Sequence, residues 1–343
     1  MILDHSGLSL AEARMPLDSF NREINYLRIS LTDRCNLRCE YCMPLDGVQL
    51  SPAEDVLSAA EIEIVVRAAV SVGFRKFRLT GGEPTLRREL LDIVTRIAAV
   101  DGVRDLALTT NGMHLRRLAA PLMAAGLNRV NVHVDSLHPE RLAALMRWGR
   151  LQDVWDGIAA AEEAGLLPIK LNAVVTRGHN EEDVVSLARL TVERGWHVRF
   201  IELMPFGGGE CAAFARERFV STADTRRRIE EALGPLTPLP TEDPADEAQP
   251  FRLAGAPGTV GFISPVSVPY CGTCNRMRLT ADGKFHLCLL NDDEMDVRHA
   301  IRSGGGLPAV ARILLTAVRG KPIGHHLPHG PSTEHREMYH LGG

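Results

Sequence analysis

The chain has no apolar run approaching the ~20 residues of a membrane-spanning helix. Residues 1 to 25 also lack a basic start leading into an apolar stretch that ends in small residues. Both absences point to a cytoplasmic protein. Cysteine is scarce, with 7 in 343 residues. An odd, low count suits a reducing compartment, where grouped thiols hold metal more often than they form disulfides. Neither sign of charge dominates: 39 basic residues stand against 43 acidic ones, for a net charge of -4. That balance excludes a general nucleic-acid coat and a membrane-surface binder, so any anion site must be concentrated. No repeat is visible beyond a strand–helix alternation, and the length suits two domains or one large α/β domain with an appendage.

What is present is that alternation. Strands are expected over Tyr26 to Thr32, Lys76 to Thr80, Arg104 to Thr110, Arg129 to Asp135, Ile169 to Val175 and His197 to Leu203. The first intervening helix opens on a capping box, Ser58 with Glu61, and carries Ile62, Val65, Val66 and Ala69 at helical spacing. Leu90, Ile93, Val94 and Ile97 repeat the spacing in the next. Such alternation implies a parallel sheet with helices outside it, either an open doubly wound sheet or a barrel. After Met204 the pattern stops, and Gly234 to Gly258, rich in proline and acid, reads as a linker or surface connection. Further helices are expected over Thr222 to Leu233 and near Leu307 to Arg319, with a short β-like run from Lys284 to Cys288.

Six of the cysteines fall into two triads. Cys35, Cys39 and Cys42 directly follow the first strand, where parallel α/β folds place their sites. Three thiols without a nearby histidine leave one position of a bound metal cluster open. Cys271, Cys274 and Cys288 form the second triad, which reads either as a similar open cluster or as a Cys3His zinc site completed by His286. Cys211, in a loop-like stretch, has no role on this reading.

With Tyr41 before its third cysteine, and with Thr80-Gly81-Gly82-Glu83-Pro84 after the next strand, the first triad resembles the radical S-adenosylmethionine (SAM) superfamily. Asp18-Ser19-Phe20, Thr109-Thr110-Asn111-Gly112, Arg199 to Met204, Cys271 to Arg278 and the terminal Gly342-Gly343 narrow the resemblance to the GTP 3',8-cyclase family of molybdenum cofactor biosynthesis. It implies an incomplete (β/α)6 barrel with a 4Fe-4S cluster at each end of a catalytic chamber. One cluster, on Cys35, Cys39 and Cys42, would reduce SAM to a 5'-deoxyadenosyl radical that takes the 3' hydrogen of GTP; the other, on Cys271, Cys274 and Cys288, would touch guanine. The implied organisation is an N-terminal extension (1–25), a partial barrel (26–233), the connection (234–258) and an auxiliary-cluster region (259–343). A flavodoxin or ferredoxin reductant, a downstream cyclic pyranopterin monophosphate synthase and a homodimer are further family expectations.

Side-chain alternation puts Arg28 on one face of the first strand with Ser30 and Thr32, and Lys76 with Arg78 on one face of the second. Lys170 with Asn172, and Arg276 with Arg278, follow the same rule. If the apolar faces meet the helices, these cations point inward, and their burial calls for an anion. The resemblance assigns Arg28, Arg78, Thr109, Lys170, Arg276, Met277 and Arg278 to GTP, with Lys76 and Arg199 as additional chamber groups. It assigns Tyr41, Gly82, His133 and Met204 to SAM, and a catalytic role to Arg28, Arg276, Arg278 and the Gly342-Gly343 tail. At Gly82 the missing Cβ lets backbone approach a ligand closely. Two departures stand out: His133 replaces the family's usual serine, and Asn21 stands where glycine is common. The histidines at 325, 326, 329, 335 and 340 read as solvated or satisfied tail residues.

Overall fold

The structure is a computed structural model, which describes residues 16–46, 48–207, 209–241, 243–325 and 336–342. The strands are β1 (Tyr26–Ser30), β2 (Lys76–Thr80), β3 (Asp105–Thr110), β4 (Arg129–His133), β5 (Lys170–Val175), β6 (His197–Glu202), β7 (Thr237–Pro238), β8 (Gln249–Arg252), β9 (Val260–Ile263), β10 (Arg276–Leu279), β11 (Lys284–His286) and β12 (Glu294–Asp296). They form one sheet in the order β12-β11-β10-β1-β2-β3-β4-β5-β6-β9-β8-β7. From β10 through β1 to β6 and on to β9 the strands run parallel, and β12, β11, β8 and β7 add antiparallel pairs at the two ends. Residues from β1 through β6, and from β10, line one cavity. A sheet can do this only if it curls, so the choice between open sheet and barrel falls to an incomplete barrel.

Each strand expected from the alternation is present, shortened by two residues at most at either end. The shortening has local causes. Thr32 Oγ1 accepts from Arg34 N at 3.1 Å, turning the chain after β1, and Asp135 Oδ1 accepts from Val174 N at 2.8 Å beyond the end of β4. The stretch 234–258, expected as linker or surface connection, supplies β7 and β8 and so widens the sheet. β7 has only two residues, both exposed, and β8 has four with one buried, so neither carries a legible period of two.

Helices α1 (Ala59–Ser71), α2 (Leu90–Ala98), α3 (Leu115–Ala124), α4 (Pro139–Met146), α5 (Leu151–Glu163) and α6 (Val184–Glu193) follow β1 to β5 in the βα manner. α7 (Gly209–Glu217) and α8 (Thr222–Leu233) come after β6, and α9 (Arg298–Arg302), α10 (Gly306–Arg319) and α11 (Met338–Leu341) follow β12. The stripe Ile62, Val65, Val66 and Ala69 is buried, as are Leu90, Ile93, Val94 and Ile97, against Leu27, Ile29, Phe77 and Leu79 from the outward faces of β1 and β2. Each large aliphatic side chain buried there contributes roughly 1.5–3 kcal/mol. Apolar burial thus takes one face of each strand and leaves the other to the chamber.

At the start of α1 the capping box is complete: Ser58 Oγ accepts from Glu61 N, and Glu61 Oε2 accepts from Ser58 N at 2.8 Å. Ser58→Ala is expected to lower stability by about 0.5–2 kcal/mol, read from urea unfolding.

Candidate active site

The parallel registers decide the electrostatics. Arg28 is the Cα partner of Arg78 on one side and of Arg278 on the other, and Tyr26 pairs with both Lys76 and Arg276. Three guanidinium-bearing residues therefore stand side by side at one level of β10, β1 and β2, all buried. Neighbouring like charges on one sheet face repel. Burial first, then Arg28 and Arg276, pulls Arg278 down to about 9. Arg78 falls to about 10, chiefly through burial, with the Tyr26 ring opposing the fall and Arg28 adding to it. The Tyr26 ring lies 5.6 Å from the Arg28 guanidinium and 5.3 Å from that of Arg78, and Tyr270 lies 5.0 Å from Arg276, near enough for cation–π attraction.

A single carboxylate meets the arginines directly. Glu247 accepts from Arg28 Nη2 at 2.7 Å, lies 3.5 Å from Arg78 Nη1 and is bonded by Arg276 Nη1. Burial works against its charge, but Arg28, Arg276 and Arg78 together hold its carboxyl well below the usual range. The anion sought for the inward cations is thus in part built into the chain. It does not satisfy them: Arg28 Nε, Arg78 Nε, Arg199 Nη1 and Arg276 Nη2 are buried without a partner, as are Thr109 Oγ1, Asn172 Oδ1 and both amide atoms of Asn131. Of these, Arg28, Arg78, Arg276, Thr109 and Asn172 line one cavity, where the spare guanidinium donors suit an anionic ligand.

Both triads open on the same cavity of about 280 Å3, whose wall includes Cys35, Cys39, Cys42, Cys271, Cys274 and Cys288 together with Arg28, Arg78, Thr109, Arg276, Arg278 and Glu247. All six thiols are free. Among the described residues no three His, Cys, Asp or Glu side chains are drawn close enough to hold a single ion. In a cubane each thiolate serves a different iron, so the donors of such a cluster stand further apart than those around one zinc. His286 is off the cavity wall that the triad lines; its Nδ1 lies 3.3 Å from Glu294 Oε1 and its Nε2 is buried without a partner. Burial pushes the Cys35 thiol up to about 11. Cys274 departs from this: burial would raise it, but Lys321, Arg276 and Arg22 bring it down to about 7.

Around the first triad, the Tyr41 hydroxyl donates to Asp135 Oδ2 at 2.7 Å and lies 2.6 Å from His133 Nε2, which is itself 2.9 Å from Asp135 Oδ2. With a proton on Nε2, His133 donates to both, closing a three-residue knot on the chamber wall. Burial opposes a charged His133, yet the charge and hydrogen bond of Asp135, with Glu83, raise its pKa. Gly82 is on the wall, but its missing Cβ has a different use from the one expected. A Cβ there would strike the backbone of Asp33 and Arg34, so the glycine lets the chain's own cysteine loop lie on the turn after β2. Gly82 N donates to Thr32 O, and Glu83 N to Arg34 O, both at 2.7 Å.

Met204 lines the cavity and packs on Phe206, Leu290 and Leu341. Met277, expected beside GTP, lies in the main apolar core and also borders the cavity. Lys170, brought down to about 8 by burial and then by Arg199 and Arg129, is off the cavity wall, on β5 next to Arg199's strand. Arg278 Nη1 bonds Gly342 O and, at 3.0 Å, Leu341 O, so the tail reaches the arginine row. Gly342, at φ 70°, abuts Thr80 and Gly81, where a Cβ would collide. Gly343 lies outside the described residues, as do His326, His329 and His335; His325 Nε2 contacts Pro265 O at 3.0 Å and His340 Nε2 contacts Gln49 O at 3.3 Å. Asn21 adopts φ 61°, the left-handed conformation that asparagine tolerates best after glycine, which accounts for its standing where glycine is common. Cys211 lies in α7 rather than a loop, buried, its thiol raised to about 11 by burial, then Glu337 and Glu210.

Sequence reasoning missed Glu247, Asp135 and Lys321. The last is buried on the cavity wall, its Nζ donating to Leu287 O at 2.7 Å beside the second triad. Of these, Asp135 carried a signal, as an acid closing an expected strand, Arg129 to Asp135.

Comparison with known proteins agrees with this geometry. Residues 29–191 match the model of the Radical SAM superfamily, and residues 196–327 that of Molybdenum Cofactor Synthesis C. A GTP 3',8-cyclase of Pelotomaculum thermopropionicum is 46% identical over 326 residues, covering 95% of this chain and 99% of the relative. One of Moorella thermoacetica is 45% identical with the same coverage of both chains. Among solved structures, Streptococcus suis SuiB bound to precursor peptide SuiA aligns with a TM-score of 0.59 at 16% identity, over 89% of this chain and 67% of that one, a likeness of fold.

Because a methyl group at residue 82 meets backbone rather than a movable side chain, Gly82→Ala is expected to destabilise the fold by about 1–3 kcal/mol, measured by thermal or urea unfolding.

Proposed function

This chain belongs to the GTP 3',8-cyclase family of radical SAM enzymes, and on that premise we propose that GTP lies with its triphosphate on the arginine wall and its nucleoside between the two cysteine triads. The enzyme is a lyase that joins C3' to C8 of GTP in molybdenum cofactor biosynthesis, with 4Fe-4S clusters and SAM as cofactors. One observation carries the placement: both triads and the arginine row line a single cavity.

Cys35, Cys39 and Cys42 would hold one cluster and Cys271, Cys274 and Cys288 the other, each triad leaving a corner for a small molecule. When bound, the clusters and SAM supply an electron and the 5'-deoxyadenosyl radical that takes the ribose 3' hydrogen. The residues do the rest. Arg28, Arg78, Arg276 and Arg278 fix the triphosphate through charge-assisted forks, strengthened by burial. Thr109 Oγ1, unpartnered and on the wall, offers one more hydrogen bond and Met277 flanks the nucleotide, while Lys170 would act on GTP only from behind the wall, on β5. Tyr41, Gly82, His133 and Met204 form the SAM side, where the Tyr41–His133–Asp135 knot sets the position of the cysteine loop. Gly342, with Gly343 beyond it, orients Arg278 by accepting its Nη1 proton. Leu37, Val174, Ile201 and Ile263 on the same wall keep water from a reactive centre.

The same reading divides the chain into an N-terminal extension (1–25), a barrel unit (26–233), its connection (234–258) and an auxiliary-cluster unit (259–343). It gives a flavodoxin or ferredoxin as reductant, cyclic pyranopterin monophosphate synthase as the next enzyme, a homodimer as the assembly and the cytoplasm as the compartment. Among the described residues no helix is long and apolar enough to cross a membrane.

Anaerobic reconstitution is expected to load about eight iron atoms per chain, the content of two cubanes. Dithionite, SAM and GTP should then yield 5'-deoxyadenosine with a cyclised nucleotide; stoichiometric zinc and no iron would refute the assignment. Arg278→Ala is expected to weaken GTP binding roughly tenfold to a hundredfold, the worth of a charged hydrogen bond, in equilibrium dialysis without SAM. Deleting Gly342 and Gly343 should lower turnover at unchanged iron content; unchanged turnover would remove the tail from the mechanism.

A further inference from the structure

Glu247 reaches the arginines from the far side of the barrel. It sits at the foot of β8, and β9, β8 and β7 follow β6 at one end of the sheet, whereas its partners are on β10, β1 and β2 toward the other end. Residues 243–248 therefore lie across the open side of the incomplete barrel. They are latched mainly by polar contacts: Asp243 to Lys76, Ala245 O to Arg276 Nη1 at 3.0 Å, and Glu247 to three guanidiniums. The Lys76–Asp243 pair is more than a third exposed, so it is weak and screened by salt. An arm held in this way can exchange its contacts without unpacking the core.

A carboxylate and a phosphate present the same kind of acceptor edge to a guanidinium fork. The Glu247 carboxylate occupies the arginines in part, leaving Nε of Arg28 and Arg78 and Nη2 of Arg276 without acceptors. A triphosphate supplies many more oxygens over the same span. Glu247 and a triphosphate cannot share the forks at low cost, because like charges would then be in contact in a buried chamber. Before any ligand enters, the three arginines hold the carboxyl ionised, so the competitor that a triphosphate meets is an anion.

We propose that Glu247 is a resident counter-ion, which stands in for a phosphate group on the arginine wall and is displaced from it when GTP binds. The proposal rests on the assignment of that wall to the triphosphate. It makes Glu247 a specificity-determining residue: a ligand must outcompete an internal carboxylate held by three arginines, which a polyphosphate does better than a ligand carrying one weak anion. The arm opens when substrate enters and returns when it leaves, so the guanidiniums never face one another uncompensated.

The test is binding of GTP, without SAM so that nothing turns over, and of inorganic triphosphate to the iron-loaded full chain. Removing the competing anion in Glu247→Gln should tighten both by about tenfold or more, because the binding-competent state no longer has to be opened. Unchanged or weaker binding overturns the proposal and makes Glu247 a fixed organiser of the arginines. Arg78→Ala separates the two layers: loss of GTP binding there, with no tightening in Glu247→Gln, sinks displacement alone, whereas full binding in Arg78→Ala sinks the triphosphate wall itself. Should Glu247→Gln fail to fold, hydrogen exchange on the wild-type chain decides: inorganic triphosphate should speed exchange of the amides of residues 243–248, and equal or slower exchange overturns displacement.

Discussion

Three arginines at one level of three adjacent parallel strands are a constraint that the rest of the chamber answers. Arg78, Arg28 and Arg278 are brought abreast by the registers of β2, β1 and β10. Beyond β2 the neighbour at this level is Ala107, too small to contribute charge or to fill the space the guanidiniums need. The row persists because each member has its own compensation. Arg28 has Glu247 and the Tyr26 ring, Arg78 shares the ring at a similar distance and Glu247 at a longer one, and Arg278 has the carbonyls of Leu341 and Gly342. Buried cations on such terms destabilise an empty chamber and strengthen a filled one, which is the differential that binding requires.

The parts legible in the sequence are those fixed by short-range geometry. Period-two alternation told which face of β1 and β2 carries Arg28 and Arg78, since Leu27, Ile29, Phe77 and Leu79 could only be core. Cysteine spacing placed the first triad on a loop, and the fold brings it together with the second on one wall. The capping box at Ser58 is local by construction. Gly82 also serves the fit of the cysteine loop against the β2 turn, a contact between segments some 50 residues apart in the chain that spacing cannot reveal.

What stayed illegible depends on non-local closure. Glu247 lies in a stretch rich in proline and acid, where an acidic residue is ordinarily solvated, and only the sheet order carries it across the barrel to β1, β2 and β10. Lys321, just past the end of α10, is buried, its ammonium reaching Leu287 O. Each is a charge inside the molecule made tolerable by a partner far off in sequence, and no window of residues contains both halves of such a pair.

The two described ends of the chain are drawn into the same problem. Arg22 donates to Cys271 O at 2.7 Å, to Pro322 O at 2.6 Å and to Ile323 O at 3.0 Å, while Asp18 neutralises it. One side chain near the amino end thus clamps the second cysteine loop to the segment that follows α10 and carries Lys321. Glu202, at the end of β6, takes the amides of Val266 and Ser267 at 3.0 and 2.9 Å and fixes the approach to Tyr270 and Cys271 from the other side. An incomplete barrel has no closing strand to hold its mouth. Here that work falls to buried carboxylates, a clamping arginine and a tail, so the elements that close the fold are also those that touch the site. Asn21, in the left-handed conformation that asparagine tolerates, turns the chain beside Arg22 and leaves the clamp intact.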